Sequence, residues 1–123
     1  MGKINLLEET LEVLKEHGKK ESDVKWVGSR EVKTSWRNFK NISNFEYDNG
    51  YGRQRIALDL LIVGADFWLS RSEYDGSEWW VCNTYPEEPS KRSTLKFVDA
   101  DQSLNAGIEF YAGEATLKNI NGL

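Results

Sequence analysis

Two glutamates near the middle of the chain are the first candidates for chemistry. Glu73 and Glu78 flank Asp75-Gly76, a dipeptide typical of a two-residue β-hairpin turn. Residues pair outward symmetrically from such a turn, so Glu73 is predicted to lie opposite Glu78. Two carboxylates at that spacing can share a proton or bind a metal ion. Arg71 lies diagonal to Glu78, which favours a surface ion network, and we therefore predict neither catalysis nor a metal site.

Aromatic side chains of the same hairpin are candidates for binding. Trp79 and Trp80 are consecutive, so they must point to opposite faces of one strand, and a half-exposed Trp is a common interface anchor. Arg71 is predicted to lie opposite Trp80 in a cation–π contact. If Gly64-Ala65-Asp66 forms a three-residue loop, Asp59 faces Arg71 in a salt bridge. The predicted binding residues are Asp59, Arg71, Glu73, Glu78 and Trp80, with Trp80 as the anchor.

The remaining reactive residue types do not form an enzyme site. Cys82 falls in the middle of a predicted strand and His17 at the end of a helix, so no base is placed to activate the thiol. These two residues are also too few for a structural zinc site. Gly50 and Gly52 precede a strand rather than a helix, which indicates a turn and not a phosphate-binding loop. We expect no catalytic residue, no metal and no cofactor.

The net charge of −4 is concentrated between residues 51 and 88. Three arginines there, Arg53, Arg55 and Arg71, are outnumbered by acidic residues. No basic stripe occurs anywhere in the chain, so direct nucleic-acid binding is not expected. An acidic patch favours a basic partner, and a solvated acidic surface is the alternative. The acidic residues of this segment are Asp59, Asp66, Glu73, Asp75, Glu78, Glu87 and Glu88.

Hydrophobic periodicity predicts the elements that position these residues. Apolar residues at three- and four-residue steps predict an amphipathic helix over residues 1–18, ended by Gly18. A short strand at residues 24–27 and a short helix capped by Thr34-Ser35 follow. Residues 45–85 show strand periodicity broken by turn signals at Asn49-Gly50, Gly64-Ala65-Asp66 and Asp75-Gly76. This pattern predicts a four-stranded antiparallel meander in which Tyr47 lies opposite Gly52.

The end of the chain is set apart by two prolines. Pro86 and Pro89 interrupt any strand ladder, so residues 86–90 are predicted to be a linker and residues 91–123 a C-terminal extension of one or two strands. We predict an α+β fold in a single domain of residues 1–123, with the N-terminal helix packed on the meander.

The three turns assign the meander side chains to two faces. One face is almost entirely apolar and is the predicted core, whereas the opposite face is charged at one end and apolar at the other. A solvated sheet face does not normally keep so many large apolar groups, so the C-terminal segment, a second copy or a foreign protein is expected to cover that end. The predicted core face is Phe45, Tyr47, Ile56, Leu58, Leu60, Ile62, Trp68, Tyr74, Trp79 and Val81. The apolar end of the other face is Leu61, Val63, Phe67, Leu69, Trp80 and Cys82.

Composition favours a small protein of the reducing cytoplasm. The 123 residues are 39% apolar and 29% charged, which is enough for one core and too little for two ordinary domains. No run of about 18 uncharged apolar residues is present to cross a bilayer. The N-terminal segment lacks a small-residue cleavage site, and the single Cys82 has no internal disulfide partner.

Four sequence motifs carry a resemblance to a known family. They are VKWVGS, SNFEYDNGYG, DLLIVG and FWLSRSEYDGSEWW. Over residues 6–85 the chain resembles small proteins encoded by phages and prophages of Gram-positive bacteria, a family that brings no chemistry with it. After Pro89 the chain departs from that pattern.

Small acidic phage proteins in turn resemble anti-CRISPR and other counter-defence inhibitors. The resemblance implies an inhibitor that evades host defence in the host cytoplasm by binding an effector protein, for instance a CRISPR nuclease or its complex, with a homodimer as a further option. One alternative is a module that sequesters a nucleotide signal, with Trp80 stacking on the base and Arg53, Arg55 or Arg71 holding phosphate. Another is a phage accessory domain.

Overall fold

A computed structural model describes residues 3–50, 52–111 and 114–123. Met1, Gly2 and Tyr51, which fall within the predicted helix and meander, lie outside the described residues. The chain divides into two compact units, Met1–Pro86 and Glu87–Leu123. Helices and antiparallel sheets are both present, so the α+β prediction is confirmed.

The first unit holds seven strands and two α-helices. In chain order they are β1 (Lys3–Asn5), α1 (Leu6–Glu16), β2 (Val24–Gly28), β3 (Lys33–Thr34), α2 (Trp36–Ile42), β4 (Glu46–Asp48), β5 (Leu61–Gly64), β6 (Phe67–Tyr74) and β7 (Ser77–Thr84). A 3-10 helix, Glu21–Asp23, precedes β2. No helix among the described residues is both long and apolar enough to span a bilayer.

Both predicted helices of this unit form, but α1 begins only at Leu6 and not within the first residues as predicted, because Lys3–Asn5 pair with β4 as β1. The Asn5 side chain accepts the Glu8 N–H at 3.0 Å, and α1 ends at Glu16, with His17 as its C-cap before Gly18 at φ of +69°. The Ser35 hydroxyl accepts the Asn38 N–H at 3.0 Å and begins α2. The predicted short strand is also present as β2.

The five-stranded sheet has the antiparallel order β3-β2-β5-β6-β7. At the turn between β6 and β7, Asp75 and Gly76 both adopt positive φ, 52° and 86°, as a two-residue hairpin turn requires. Glu73 pairs with Glu78 and Arg71 with Trp80, so the predicted register of this hairpin is confirmed.

The predicted register between β5 and β6 is wrong by one residue. Val63 pairs with Trp68 and Ile62 with Leu69, because the loop is the two-residue Ala65-Asp66 and Gly64 belongs to β5. A slip of one residue turns every side chain of a strand to the other face. Ile62 therefore joins the face of Leu69 and Trp80, whereas Leu61 and Val63 join the face of Trp68.

The predicted hairpin at Asn49-Gly50 is also wrong. Strand β4 pairs with β1 in a separate two-stranded sheet, where Tyr47 lies opposite Ile4 rather than Gly52. Residues 52–60 form no strand. Two backbone N–H groups of this segment bond to the Glu78 side chain instead, as described below. The predicted four-stranded meander is thus a three-stranded one, β5-β6-β7, extended by β2 and β3.

The core lies on the sheet face that carries Phe67, Leu69 and Trp80, and helix α1 covers it. The predicted faces of β6 and β7 are therefore reversed, whereas Tyr47, Ile56 and Ile62 are buried as predicted, and α1 packs on the face of Leu69 and Trp80. Tyr74, at 76% exposure, and Leu58, at 74%, were predicted core residues and lie at the surface. The buried core cluster is Leu6, Leu14, Val27, Phe39, Tyr47, Ile56, Ile62, Phe67, Leu69 and Trp80.

The second unit contains two short helices, α3 (Ala100–Asn105) and α4 (Leu117–Ile120). Residues 87–111 and 114–123 form no strand, so the predicted C-terminal strands are wrong. The Ser103 hydroxyl donates to the Ile120 carbonyl, and the Asn121 side chain bonds the backbone N–H and C=O of Phe97. Hydrogen bonds from polar side chains, rather than strand pairing, hold this small unit together.

Candidate functional site

Four polar residues form a buried ion cluster beneath α1: Glu9, Tyr47, Arg71 and Glu78. The Arg71 side chain has 0% exposure and that of Glu78 has 1%. Arg71 Nη2 lies 3.0 Å from both Glu78 Oε1 and the Tyr47 hydroxyl oxygen. Arg71 Nη1 lies 3.6 Å from Glu9 Oε2, and the Tyr47 hydroxyl donates to the other Glu9 oxygen. A buried guanidinium is thereby matched by two carboxylates.

Glu78 also organises the segment that lacks strand structure. Its Oε2 accepts the Arg55 N–H at 2.7 Å and its Oε1 accepts the Ile56 N–H at 3.1 Å. Its own N–H donates to the Asn49 carbonyl at 2.7 Å. Charge-assisted bonds of this kind are stronger than neutral ones. Glu78 therefore holds Asn49, Arg55 and Ile56 against the sheet, and these partners are all parts of the fold.

Trp80 completes the structural side of this cluster. The Arg71 guanidinium lies 4.7 Å from the Trp80 ring centroid, as the predicted cation–π contact requires. The Trp80 indole N–H donates to the buried Thr10 hydroxyl of α1 at 2.9 Å. Trp80 is only 5% exposed, so the prediction of a half-exposed anchor at this position is wrong. Trp80 and Arg71 are both buried, so Trp80 is not accessible to stack on a base and Arg71 is not accessible to hold phosphate.

Asp59 and Glu73, the other two predicted binding residues, are exposed. Asp59 precedes β5 and is not the partner of Arg71, whose carboxylate partners are Glu9 and Glu78, so the predicted Asp59–Arg71 salt bridge is wrong. Glu73 lies opposite Glu78 as predicted, and its carboxylate accepts the Gly76 N–H at 3.1 Å in the hairpin turn. The five predicted residues thus separate into a buried trio and two surface carboxylates.

Burial shifts two pKa values within the ion cluster. Desolvation raises the pKa of Glu9 above 4.5, and this effect outweighs the bond from Tyr47 and the charge of Arg71. Desolvation, followed by the bond to Glu9, raises the pKa of the Tyr47 phenol well above its usual range. Tyr47 thus remains a neutral donor at physiological pH.

The raised pKa of Glu9 gives a testable pH dependence. Its folded value exceeds its unfolded value, so its contribution to stability is complete below pH 4.5 and is lost as pH rises through the folded pKa. We expect Glu9→Gln to gain stability relative to the wild type across that interval, measured by urea unfolding at a series of pH values. Glu12→Gln, an exposed position on the same helix, should give a flat difference. A flat difference for Glu9→Gln as well would contradict the shift.

Sequence reasoning missed the outer face of the sheet, which we define as the side chains of β2, β5, β6 and β7 and of Tyr85 that point away from α1. The register places no charged side chain of β5, β6 or β7 on it, whereas Lys33 of β3, which pairs with Gly28, lies at its β3 edge. Trp79 is 39% exposed, and the rings of Trp68 and Tyr85 contact each other with centroids 5.1 Å apart. The outer face consists of Trp26, Leu61, Val63, Trp68, Ser70, Ser72, Tyr74, Ser77, Trp79, Val81, Asn83 and Tyr85.

Groups for metal or nucleophilic chemistry do not converge in the part of the chain that the structure describes. No cluster of three or more His, Cys, Asp or Glu with metal-binding geometry occurs there. Burial raises the pKa of the Cys82 thiol, which disfavours the reactive thiolate. Comparison of the chain with protein-family models, with curated proteins and with solved structures finds no match.

Proposed function

We propose that this chain acts by binding another protein, without catalysis, through the outer face of its sheet. The observation that carries the proposal is the absence of charge across the positions that β5, β6 and β7 direct away from the core. A solvated antiparallel face normally alternates with charged and polar residues. Depletion of charge with enrichment of Trp and Tyr is instead typical of the centre of a protein interface.

Trp79 takes the role of anchor in place of Trp80. It is the most exposed of the three Trp residues of the outer face, at 39%, and Tyr74 beside it is 76% exposed. Trp and Tyr dominate interface hot spots, since they bury a large area while losing little conformational freedom. Val81 follows on the same side of β7 and continues the apolar surface.

The rim of this surface at the β6–β7 turn is acidic. Glu73 and Asp75 are exposed at the hairpin end of β6 and β7, next to Tyr74. Rim charges mainly speed association with a partner of opposite charge. The partner surface that fits is therefore an apolar patch flanked by basic groups. The acidic binding surface predicted from the sequence is kept in this proposal, but its apolar centre moves from Trp80 to Trp79.

The resemblance to phage and prophage proteins supplies the biological side of the proposal. A counter-defence inhibitor needs a stable fold and a binding surface but no active site. We propose a bacterial defence effector as the partner, an anti-CRISPR role being the leading case. Effectors that handle nucleic acid are rich in basic surface, which suits an acidic rim.

The proposal is tested by inhibition and by one substitution. Expression of the chain in cells with an active CRISPR nuclease should restore plasmid transformation or phage plaquing, and the purified chain should bind that nuclease. Trp79→Ala should weaken binding by about 2 kcal/mol, roughly 30-fold, chiefly by faster dissociation. Leu58→Ala removes an apolar side chain that is 74% exposed but lies outside the outer face, and should leave binding unchanged.

Salt dependence separates the rim from the centre. Glu73→Lys should slow association, and the difference from wild type should shrink at high ionic strength because salt screens exposed charges. Equal binding by wild type and Trp79→Ala would refute the outer face as the site. Turnover of nucleic acid or nucleotide by the purified chain would refute a purely binding role.

A further inference from the structure

Strand β7 forms one edge of the five-stranded sheet. Its eight residues, Ser77–Thr84, pair with β6 on one side, and no strand of the described residues pairs with the other side. The bond from the Glu78 N–H to the Asn49 carbonyl shows which residues direct their backbone outward. Because backbone groups alternate along an antiparallel strand, Trp80, Cys82 and Thr84 direct N–H and C=O to the same open side.

Those outward groups have no hydrogen-bond partner among the described residues. Outside the β6–β7 ladder, no hydrogen bond of the described residues involves the backbone N–H or C=O of Trp80, Cys82 or Thr84. Open edges in monomeric proteins are usually blocked by lysine, proline or a bulge. Residues 79–84 contain neither proline nor any charged residue, and they pair with β6 without a break in register.

We propose that a second copy of this chain adds to the β7 edge, antiparallel and related by a two-fold axis at Cys82. This register uses every outward group: Cys82 pairs with Cys82 of the partner subunit, and Trp80 with Thr84 of the partner subunit. The Glu78 N–H is already occupied and Pro86 has no N–H, so these residues limit the paired segment at its two ends.

The neutral side chains of this segment make a second copy the fitting occupant. An isologous interface places each patch against itself, so any charge near the axis would meet a like charge. Residues 79–84 bring no charge to the axis, and Val81 lies opposite Asn83 of the partner subunit on the outer face. The proposal is independent of the partner protein proposed above, because it uses the backbone edge and not the Trp79 side chain.

Molecular mass and amide exchange test the proposal on the unmodified chain. As the protein is concentrated about a hundredfold, into the range of weak specific association, the mass should rise from monomer to dimer. The Cys82 and Thr84 amides should become protected from hydrogen exchange in parallel with the mass. A monomer at every concentration overturns the proposal. So does a dimer whose Cys82 amide still exchanges freely, and so does protection of that amide already in the monomer.

A matched pair of variants at one position adds a second test. Cys82→Pro removes the outward N–H but no bond to β6, a place where edge strands tolerate proline. It should weaken the dimer about tenfold or more, because each copy loses one donor across the axis. Cys82→Ser keeps the N–H and should dimerise as the wild type does. Unchanged dimerisation of a folded Cys82→Pro overturns the proposal, and the exchange measurement decides it alone if that variant does not fold.

Discussion

Replacing Glu78 with alanine is expected to lower the free energy of unfolding by about 3–5 kcal/mol, because it leaves the Arg71 charge buried with too few partners. The Arg71 side chain has 0% exposure, and its remaining carboxylate partner, Glu9, lies farther away, at 3.6 Å from Nη1. The backbone N–H groups of Arg55 and Ile56 lose their acceptor at the same time. Urea unfolding at neutral pH measures the change.

Glu73→Ala is the matched control for that measurement. Glu73 lies directly opposite Glu78 on β6, so the two substitutions remove the same chemical group one strand apart. Glu73 is exposed and bonds only the turn N–H of Gly76 among the described contacts, so its loss should cost about 1 kcal/mol or less. Equal losses for the two variants would contradict the burial of Glu78 and the ion cluster built on it.

The hairpin that carries these glutamates was predictable because its turn is local. Asp75 and Gly76 adopt positive φ together, a combination that few residue pairs accept, so two positions fixed the pairing of sixteen residues. The start of α2 was predictable for the same reason, since the Ser35 cap lies within three residues of the N–H group that it bonds, whereas the Asn5 cap that begins α1 was missed. Each of these signals is complete within a short stretch of sequence.

The sheet faces were not predictable, because their signals are not local. Gly64 fits the pattern of a loop residue, and only the position of the Phe67 ring shows why a strand needs glycine there. Arg71 and Glu78 fit a solvated face, because periodicity records where charges point and not whether opposite charges are buried together. Tyr47 pairs with Ile4 across more than forty residues of sequence, so no local turn signal predicts this contact. The outer face was missed as a consequence of the reversal.

A substitution at Gly64 tests the register that reversed the faces. A Cβ built at this position would overlap the Phe67 ring, which is 1% exposed and packed in the core. Gly64→Ala must therefore displace that ring, and we expect it to lower the free energy of unfolding by about 2–3 kcal/mol through overpacking. Thermal or urea unfolding measures the loss, and a changed aromatic circular-dichroism signal should accompany it.

Gly50→Ala is the control, since Gly50 has open space around it and only the Asp48 side chain within 4 Å of a new Cβ, at 3.8 Å. That variant should keep wild-type stability or gain slightly through lower entropy of the unfolded chain. A double-mutant cycle with Phe67→Leu identifies the cause of the loss at Gly64. The smaller side chain removes the ring, so Gly64→Ala should cost at least about 1 kcal/mol less in that background. An unchanged cost would mean that Gly64 is required for its backbone conformation, as the three-residue loop supposed, and not for contact with Phe67.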